Sequence, residues 1–298
     1  MPASVSSILS PIFPQEHFFM KKLIPLFASA CVLCTSSRAD LFNYDFGSGT
    51  GTHTTGASTS FLPAPAVGGG TARVRVGSTA GSFSMVNAGD ALGAATELQG
   101  IAPTSASLNK FAIYDIASPT TQFSLAFTLK LTGGTSGTWS MFLGDGATYT
   151  NDAGFSGTQV MSGIQWIFGS SGAITENYRN GGSWTALPNT FSQDSEYHVE
   201  IYANNSAAAA AYGTSQSLAS NKWDLWINNV LVGDDLNKGQ LGAAANIDSF
   251  MFYGESSAGN VAKIILDDIQ YANTLTLVPE PASAGLLALG LLLLRRRR

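Results

Sequence analysis

Between Gln122 and Leu131 the chain alternates without a break. Phe123, Leu125, Phe127, Leu129 and Leu131 share one parity, and Ser124, Ala126, Thr128 and Lys130 share the other. Successive side chains of a strand point to opposite faces. The pattern therefore predicts a full strand with one face buried and the other wet or lightly covered. Tyr197, Val199 and Ile201 repeat it against Glu196, His198 and Glu200. Trp223 to Ile227 and Val230 to Val232 flank Asn228-Asn229, which reads as a two-residue hairpin because Asn tolerates the positive φ such turns need. Further strands are expected at 41–46, 72–76, 82–87, 109–116, 138–143, 160–168, 172–179, 247–253 and 261–271.

Regularly spaced short strands with no long helical pattern imply a sandwich or barrel. Roughly twelve to fourteen strands suit one large antiparallel two-sheet jelly roll better than two small sandwiches. The expected fold class is therefore all-β, with one β-sandwich ectodomain over residues 40–272. No internal repeat of fixed period is visible. The alanine run Ala207 to Ala211 is expected in a loop, as one helical turn. Gly47 to Gly70 is expected to be a long loop with at most a short strand at its middle.

Charged residues make up only 12% of the chain and glycines number 32, a balance common in secreted β-rich proteins. The charges are segregated. From Asp40 to Val278 eight Lys/Arg face eighteen Asp/Glu, a net charge of −10. That excludes nucleic acid as a partner, because phosphates need a basic face. It is compatible with neutral glycans, or with acidic ones bridged by a divalent ion. Both cysteines, Cys31 and Cys34, lie near the N-terminus, so residues 40–272 carry no disulfide, thiol nucleophile or thiolate metal site.

The two ends read as targeting segments. Met20-Lys21-Lys22 followed by Leu23 to Cys34 has the charged and apolar regions of a signal peptide, with Ser37-Arg38-Ala39 as a small-residue cleavage site before Asp40. Translation is expected to start at Met20, and residues 1–39 to be removed. Residues 273–298 form a tail. Pro279, Glu280 and Pro281 hold the backbone extended, Ala282 to Leu294 is apolar throughout, and Arg295, Arg296, Arg297 and Arg298 close the chain. Such a segment is helical in lipid, and its arginines stay on the cytoplasmic side. From Pro281 to Leu294 there are fourteen residues. A hydrocarbon layer of about 30 Å takes about 20, so snorkelling arginine stems and local thinning make up the rest.

This tail resembles the PEP-CTERM sorting signal of Gram-negative bacteria that make extracellular polysaccharide. The tripeptide, the apolar span and the basic end occur in that order at the C-terminus. The resemblance implies recognition by an exosortase, a membrane transpeptidase. It also implies a precursor anchored in the inner membrane by a single transmembrane helix, and a mature form in the cell envelope or extracellular matrix. A second resemblance covers most of residues 41–271. Phe123 to Leu131, Trp139 to Gly144, Tyr197 to Ala203, Trp223 to Gly233, and Ile264 to Tyr271 with Asp267-Asp268 look like the concanavalin A-like, laminin-G-like jelly roll. That family implies a central hairpin at Asn228-Asn229 and a last strand that returns to pair with Leu41 to Phe46.

Chemistry-bearing patterns are sparse. Residues 40–272 hold two histidines, His53 and His198, and no Gly-x-Ser-x-Gly. Zinc has too few ligands. Glu196 and Glu200 share a strand face, but i and i+4 on a strand lie about 13 Å apart. That exceeds the ~5–9.5 Å used for glycosidic cleavage. The Glu-x-Asp-x-x-Glu run of jelly-roll glucanases is absent. Calcium would suit Asp145, between Gly144 and Gly146, and Asp152 after Asn151, since turn carboxylates are hard oxygen ligands; Asp234-Asp235 and Asp267-Asp268 are further candidates. A glycan platform needs aromatic rings beside polar groups. Trp166, Tyr178 and Trp184, near Asn177, Arg179 and Asn180, are the candidates, with Trp184 the most exposed. Trp139, Trp223 and Trp226 read as packing residues. The expected function is an exported, non-enzymatic adhesive or carbohydrate-binding protein with extracellular polysaccharide as partner. The alternatives are a polysaccharide-cleaving enzyme on the same fold and a purely structural matrix protein.

Overall fold

Strict alternation leaves a strand two faces, and most strands of this chain spend one of them on a shared interior. A computed structural model describes residues 41–275 apart from 78–80, 88–91, 93–95, 105–107, 147–148, 150–155, 189 and 214. The predicted signal peptide and the tail, with Pro279, Glu280, Pro281 and Arg295 to Arg298, lie outside the described residues, as does Asp152.

Strands are numbered β1 to β19 in chain order. Edge to edge, the first sheet runs β17 (Val230–Asn237), β16 (Lys222–Ile227), β13 (Glu196–Asn204), β8 (Gln122–Thr132), β19 (Lys263–Ala272), β6 (Glu97–Ile101), β5 (Ser82–Val86) and β2 (Gly51–His53); β1 (Leu41–Tyr44), its ninth strand, also pairs with β19. The second, eight-stranded, runs β12 (Ser183–Ala186), β11 (Ile174–Asn180), β10 (Val160–Phe168), β9 (Thr138–Gly144), β18 (Ser249–Glu255), β7 (Asn109–Tyr114), β4 (Thr71–Val76) and β3 (Gly56–Ser58). A small third sheet pairs β14 (Ala210–Tyr212) with β15 (Gln216–Leu218). Strand pairing is antiparallel throughout. The two large sheets form a jelly-roll-like sandwich.

The predicted parity is obeyed. Phe123, Leu125, Phe127, Leu129 and Leu131 of β8 are all buried in the shared core. Phe127 meets Phe252 of the opposite sheet edge to face at 5.0 Å between centroids, and Phe252 stacks on Phe111 at 6.0 Å. Each such buried side chain contributes roughly 1.5–3 kcal/mol. The Asn228-Asn229 turn has φ of 47° and 65°, as a two-residue hairpin requires. β1 pairs with β19, from Leu41↔Ala272 to Tyr44↔Ile269, which closes the sheet between the first and last described strands.

Three segments differ from expectation. The alanine run makes no helical turn. Ala210–Tyr212 is strand β14, because burying Tyr212 against Tyr202, ring centroids 4.3 Å apart, outweighs alanine's helix propensity. The glycine-rich stretch carries two short edge strands, β2 and β3, one on each sheet. β6 was invisible because its inward position after Leu98 is Gly100, where a Cβ would stand 2.7 Å from the Trp139 ring. The strand gave up a side chain to make room for an indole, and its alternation went with it.

Candidate functional site

The outer face of the eight-stranded sheet carries the richest unspent chemistry. Inward positions of β4, β7 and β18 are apolar: Ala72, Val74 and Val76, Phe111 and Ile113, Phe250 and Phe252. Parity therefore sends Arg73, Arg75, Lys110, Met251, Tyr253 and Glu255 outward. The register lines these up in rows. One row crosses six strands as Arg75, Lys110, Tyr253, Ser140, Gln165 and Asn177. At about 4.8 Å per strand it spans about 24 Å. The adjacent row reads Arg73, Ala112, Met251, Phe142 and Gly163, and ends on the Arg179–Trp184 pair.

Where the rows meet, Ser140, Phe142, Gln165, Arg179, Trp184, Tyr253 and Glu255 line a recess of about 170 Å³. Gly163 lies between two of these residues, since a Cβ there would come within 2.9 Å of Phe142 and 3.2 Å of the Arg179 Cβ. The Arg179 guanidinium lies over the Trp184 ring, 5.3 Å from its centroid, and Trp184 packs on Phe142 at 5.8 Å. Arg179 forms no salt bridge among the described residues, and its Nε is buried without a hydrogen-bond partner. Desolvation lowers its pKa below the ordinary guanidinium value, yet an arginine remains charged. Asn177 donates to Gln165 Oε1 at 3.1 Å. Tyr253 is pushed to a higher pKa by burial first, then by the charge of Glu255 and a hydrogen bond to it; Arg75 pulls the other way.

The predicted aromatic trio is split by the sheet. Trp184 stands on the outer face, half-buried. Trp166 is fully buried, facing the interior with its ring against Phe191 at 5.7 Å, so it offers no platform. Tyr178 shares Trp166's inward side and packs on Trp223 at 6.2 Å. Proximity in sequence grouped them, and strand parity separates them. Phe142, Tyr253 and Gln165 were missed. Their signal was the outward parity of three sequence-distant strands, which only the sheet order brings side by side. Trp139 and Trp223 are core, and the Trp226 Nε1 donates to the Tyr212 hydroxyl at 2.9 Å.

Asp145 follows β9 near Asp248, whose pKa is raised by burial first and then by the charges of Asp145 and Asp115. Among the described residues no three His, Cys, Asp or Glu side chains group closely enough to hold a metal ion. His198 lies on the opposite sheet's outer face, 3.3 Å from Glu200, and His53 Nε2 meets the Gly56 carbonyl at 3.0 Å. Among the described residues no helix is long and apolar enough to cross a membrane.

No protein-family model matches the sequence, and no curated protein matches it. Among solved structures the chain is similar to alginate lyase Aly36B, with 12% identity over 66% of this chain and 88% of that one and a TM-score of 0.38. It is similar to a carbohydrate esterase of the Shiga toxin-encoding bacteriophage phi24B, with 10% identity over 75% of this chain and 100% of that one and a TM-score of 0.45. It is also similar to the cellulose-induced protein Cip1, with 13% identity over 70% of this chain and 93% of that one and a TM-score of 0.39.

Proposed function

We propose that the chain is an exported glycan-binding protein whose ligand lies across the outer face of the eight-stranded sheet. The observation that carries this reading is the recess at Trp184, Phe142 and Tyr253. There half-buried Trp184 and Tyr253, beside a buried Phe142, adjoin Gln165 and Arg179, the mixture of stacking platform and hydrogen-bonding groups that a sugar ring needs. The row from Arg75 to Asn177 extends the same surface to oligosaccharide length. Delivery is by the tail. Pro279-Glu280-Pro281, the apolar span and the arginine cluster support sorting by an exosortase at the inner membrane, with the mature protein in the envelope or polysaccharide matrix.

The test is retention of the full chain on a panel of immobilised polysaccharides. Wild type should be retained on at least one of them, and Trp184→Ala should weaken that retention about tenfold, as for a buried aromatic anchor. If no glycan retains the wild-type chain, or Trp184→Ala binds as well as wild type, the reading is wrong. Release of shortened products from the same panel would instead favour a polysaccharide-cleaving enzyme, with the Tyr253–Glu255 pair as the place to look. Mass spectrometry of the mature C-terminus, with and without the host's sorting enzyme, tests the delivery half. An intact tail in both would overturn it.

A further inference from the structure

The charge of the whole domain misdescribes this face. Residues 40–278 carry eight Lys/Arg, and four of them, Arg73, Arg75, Arg179 and a nearly buried Lys110, lie on the outward side of the eight-stranded sheet. Among that sheet's strand residues Glu255 is the one outward carboxylate; Glu176 faces the interior, fully buried. The acidic side chains Glu196, Glu200, Asp224 and Asp267 belong to the other sheet's outer face. Inner faces of packed sheets are about 10 Å apart, and their outer side chains lie farther still. At physiological salt the screening length is about 8 Å. A ligand on one outer face therefore feels the local cations and very little of the opposite face.

We infer that the ligand of this face is an acidic polysaccharide, its uronate carboxylates paired directly with Arg179 and, along the row, with Arg75, without a bridging divalent ion. This rests on the proposed glycan-binding reading and names the chemical class. Three observations carry it. Arg179 is half-buried and has no carboxylate partner among the described residues, an arrangement that costs free energy unless an anion completes it. Its planar fork is already fixed by stacking on Trp184, so little side-chain freedom is lost when a carboxylate docks edge-on. The neighbouring groups, Gln165 and Ser140, are neutral hydrogen-bonding side chains suited to sugar hydroxyls. Glu255, the acid on the recess wall, accepts the Tyr253 hydroxyl hydrogen bond and lies on the far side of Tyr253's row from Phe142 and Trp184.

The experiment uses the full chain and three probes, polygalacturonate, dextran sulfate and uncharged dextran, each with and without EDTA. Polygalacturonate should be retained equally in EDTA, and retention should weaken as salt rises. Arg179→Ala should weaken it about tenfold or more, and Arg179→Lys should recover only part, since an ammonium keeps the charge and loses the fork. Unchanged melting temperatures of both variants show that the fold is intact. Dextran bound as tightly as polygalacturonate, or polygalacturonate binding abolished by EDTA, overturns the inference and leaves glycan binding standing. Dextran sulfate bound more tightly than polygalacturonate overturns the uronate assignment. No retention on any of the three, together with failure across the wider panel, sinks the underlying reading as well.

Discussion

The two outer faces of this sandwich obey the same strand alternation and end in opposite states. On the nine-stranded sheet the titratable groups bond one another, although Ser124 Oγ and Gln270 Oε1 stay buried without a partner. The Tyr202 hydroxyl donates to Glu200 at 2.5 Å, and His198 stands 3.3 Å from the same carboxylate. The Tyr212 hydroxyl donates to Asp224 at 2.5 Å and accepts from Trp226, and the other Asp224 oxygen takes the Asp235 N–H at 2.7 Å. The strand pair β14–β15 lies over part of this network through the Tyr202–Tyr212 stack. On the eight-stranded sheet Tyr253 and Glu255 bond each other and Asn177 donates to Gln165, but Arg179 has an aromatic ring and, among the described residues, no acid. A satisfied polar network holds a fold together, whereas an unsatisfied cation in a recess is an invitation to a ligand. The difference predicts that substitutions on the two faces separate stability from binding.

The largest effect is expected at Asp224. Asp224→Ala leaves the Tyr212 hydroxyl and the Asp235 N–H without their acceptor, and should cost about 2–3 kcal/mol of stability. Part of that is offset because burial already raises the Asp224 pKa, so the wild-type carboxylate bears a desolvation cost that the variant does not. Retention on glycans should be unchanged, measured beside urea unfolding of the same preparation. Loss of glycan binding in this variant, with the fold intact, would break the division of labour between the faces.

A second, smaller effect is a pH dependence carried by Asp267 on the nine-stranded face. The Asp267 carboxyl is pushed up to about 6, by burial first and then by the charges of Asp268, Asp45 and Glu196, while the Asp268 N–H pulls it down. A raised folded value means that the folded state holds the proton more tightly. Stability from this group is therefore present below its unfolded value and is lost as pH rises from about 4 to about 6. Glu200 has the opposite sign: held below the usual carboxylate range by His198 and Tyr202, against burial, it adds stability above its unfolded value that is lost as pH falls through its folded one. Asp267→Asn should flatten the slope between pH 4 and 6 and stabilise the protein at pH 7 by about 1–2 kcal/mol, since the neighbouring acids are exposed and screened. Melting curves across that window decide it; a variant that keeps the wild-type slope would locate the titration elsewhere.

The sequence spoke clearly about one face of each strand and poorly about the other. Inward apolar residues repeat at period two, so β8, β13 and the β16–β17 hairpin were legible at once. Outward residues of neighbouring strands are brought together by sheet order, which leaves no local signature. Tyr253 and Gln165 stand in one row although 88 positions separate them. Local grouping placed Trp166 and Tyr178 beside Trp184, and parity alone could have warned that Trp166, at an even distance from inward Ile164, was core. Net charge misled for the same reason. It sums over both faces, while a ligand meets one.

The smallest stability effect, and the sharpest test of the recess, belongs to Gly163. A methyl group there would meet Phe142 at 2.9 Å and the Arg179 Cβ at 3.2 Å. On the other sheet an outward Ala126, fully buried between Glu200 and Gln270, already fills such a position without harm. Gly163→Ala should therefore cost about 1 kcal/mol, as the half-buried Arg179 side chain eases away from the buried Phe142. Yet that easing moves the guanidinium off the Trp184 ring. Retention of polygalacturonate should fall several-fold while the melting temperature shifts by only a few degrees. If binding survives while stability drops as in an overpacked core, Gly163 is a packing residue, and the recess owes nothing to the missing side chain. If both stay at wild-type values, Phe142 and Arg179 move aside without consequence, and the position of the guanidinium over Trp184 is not what the ligand reads.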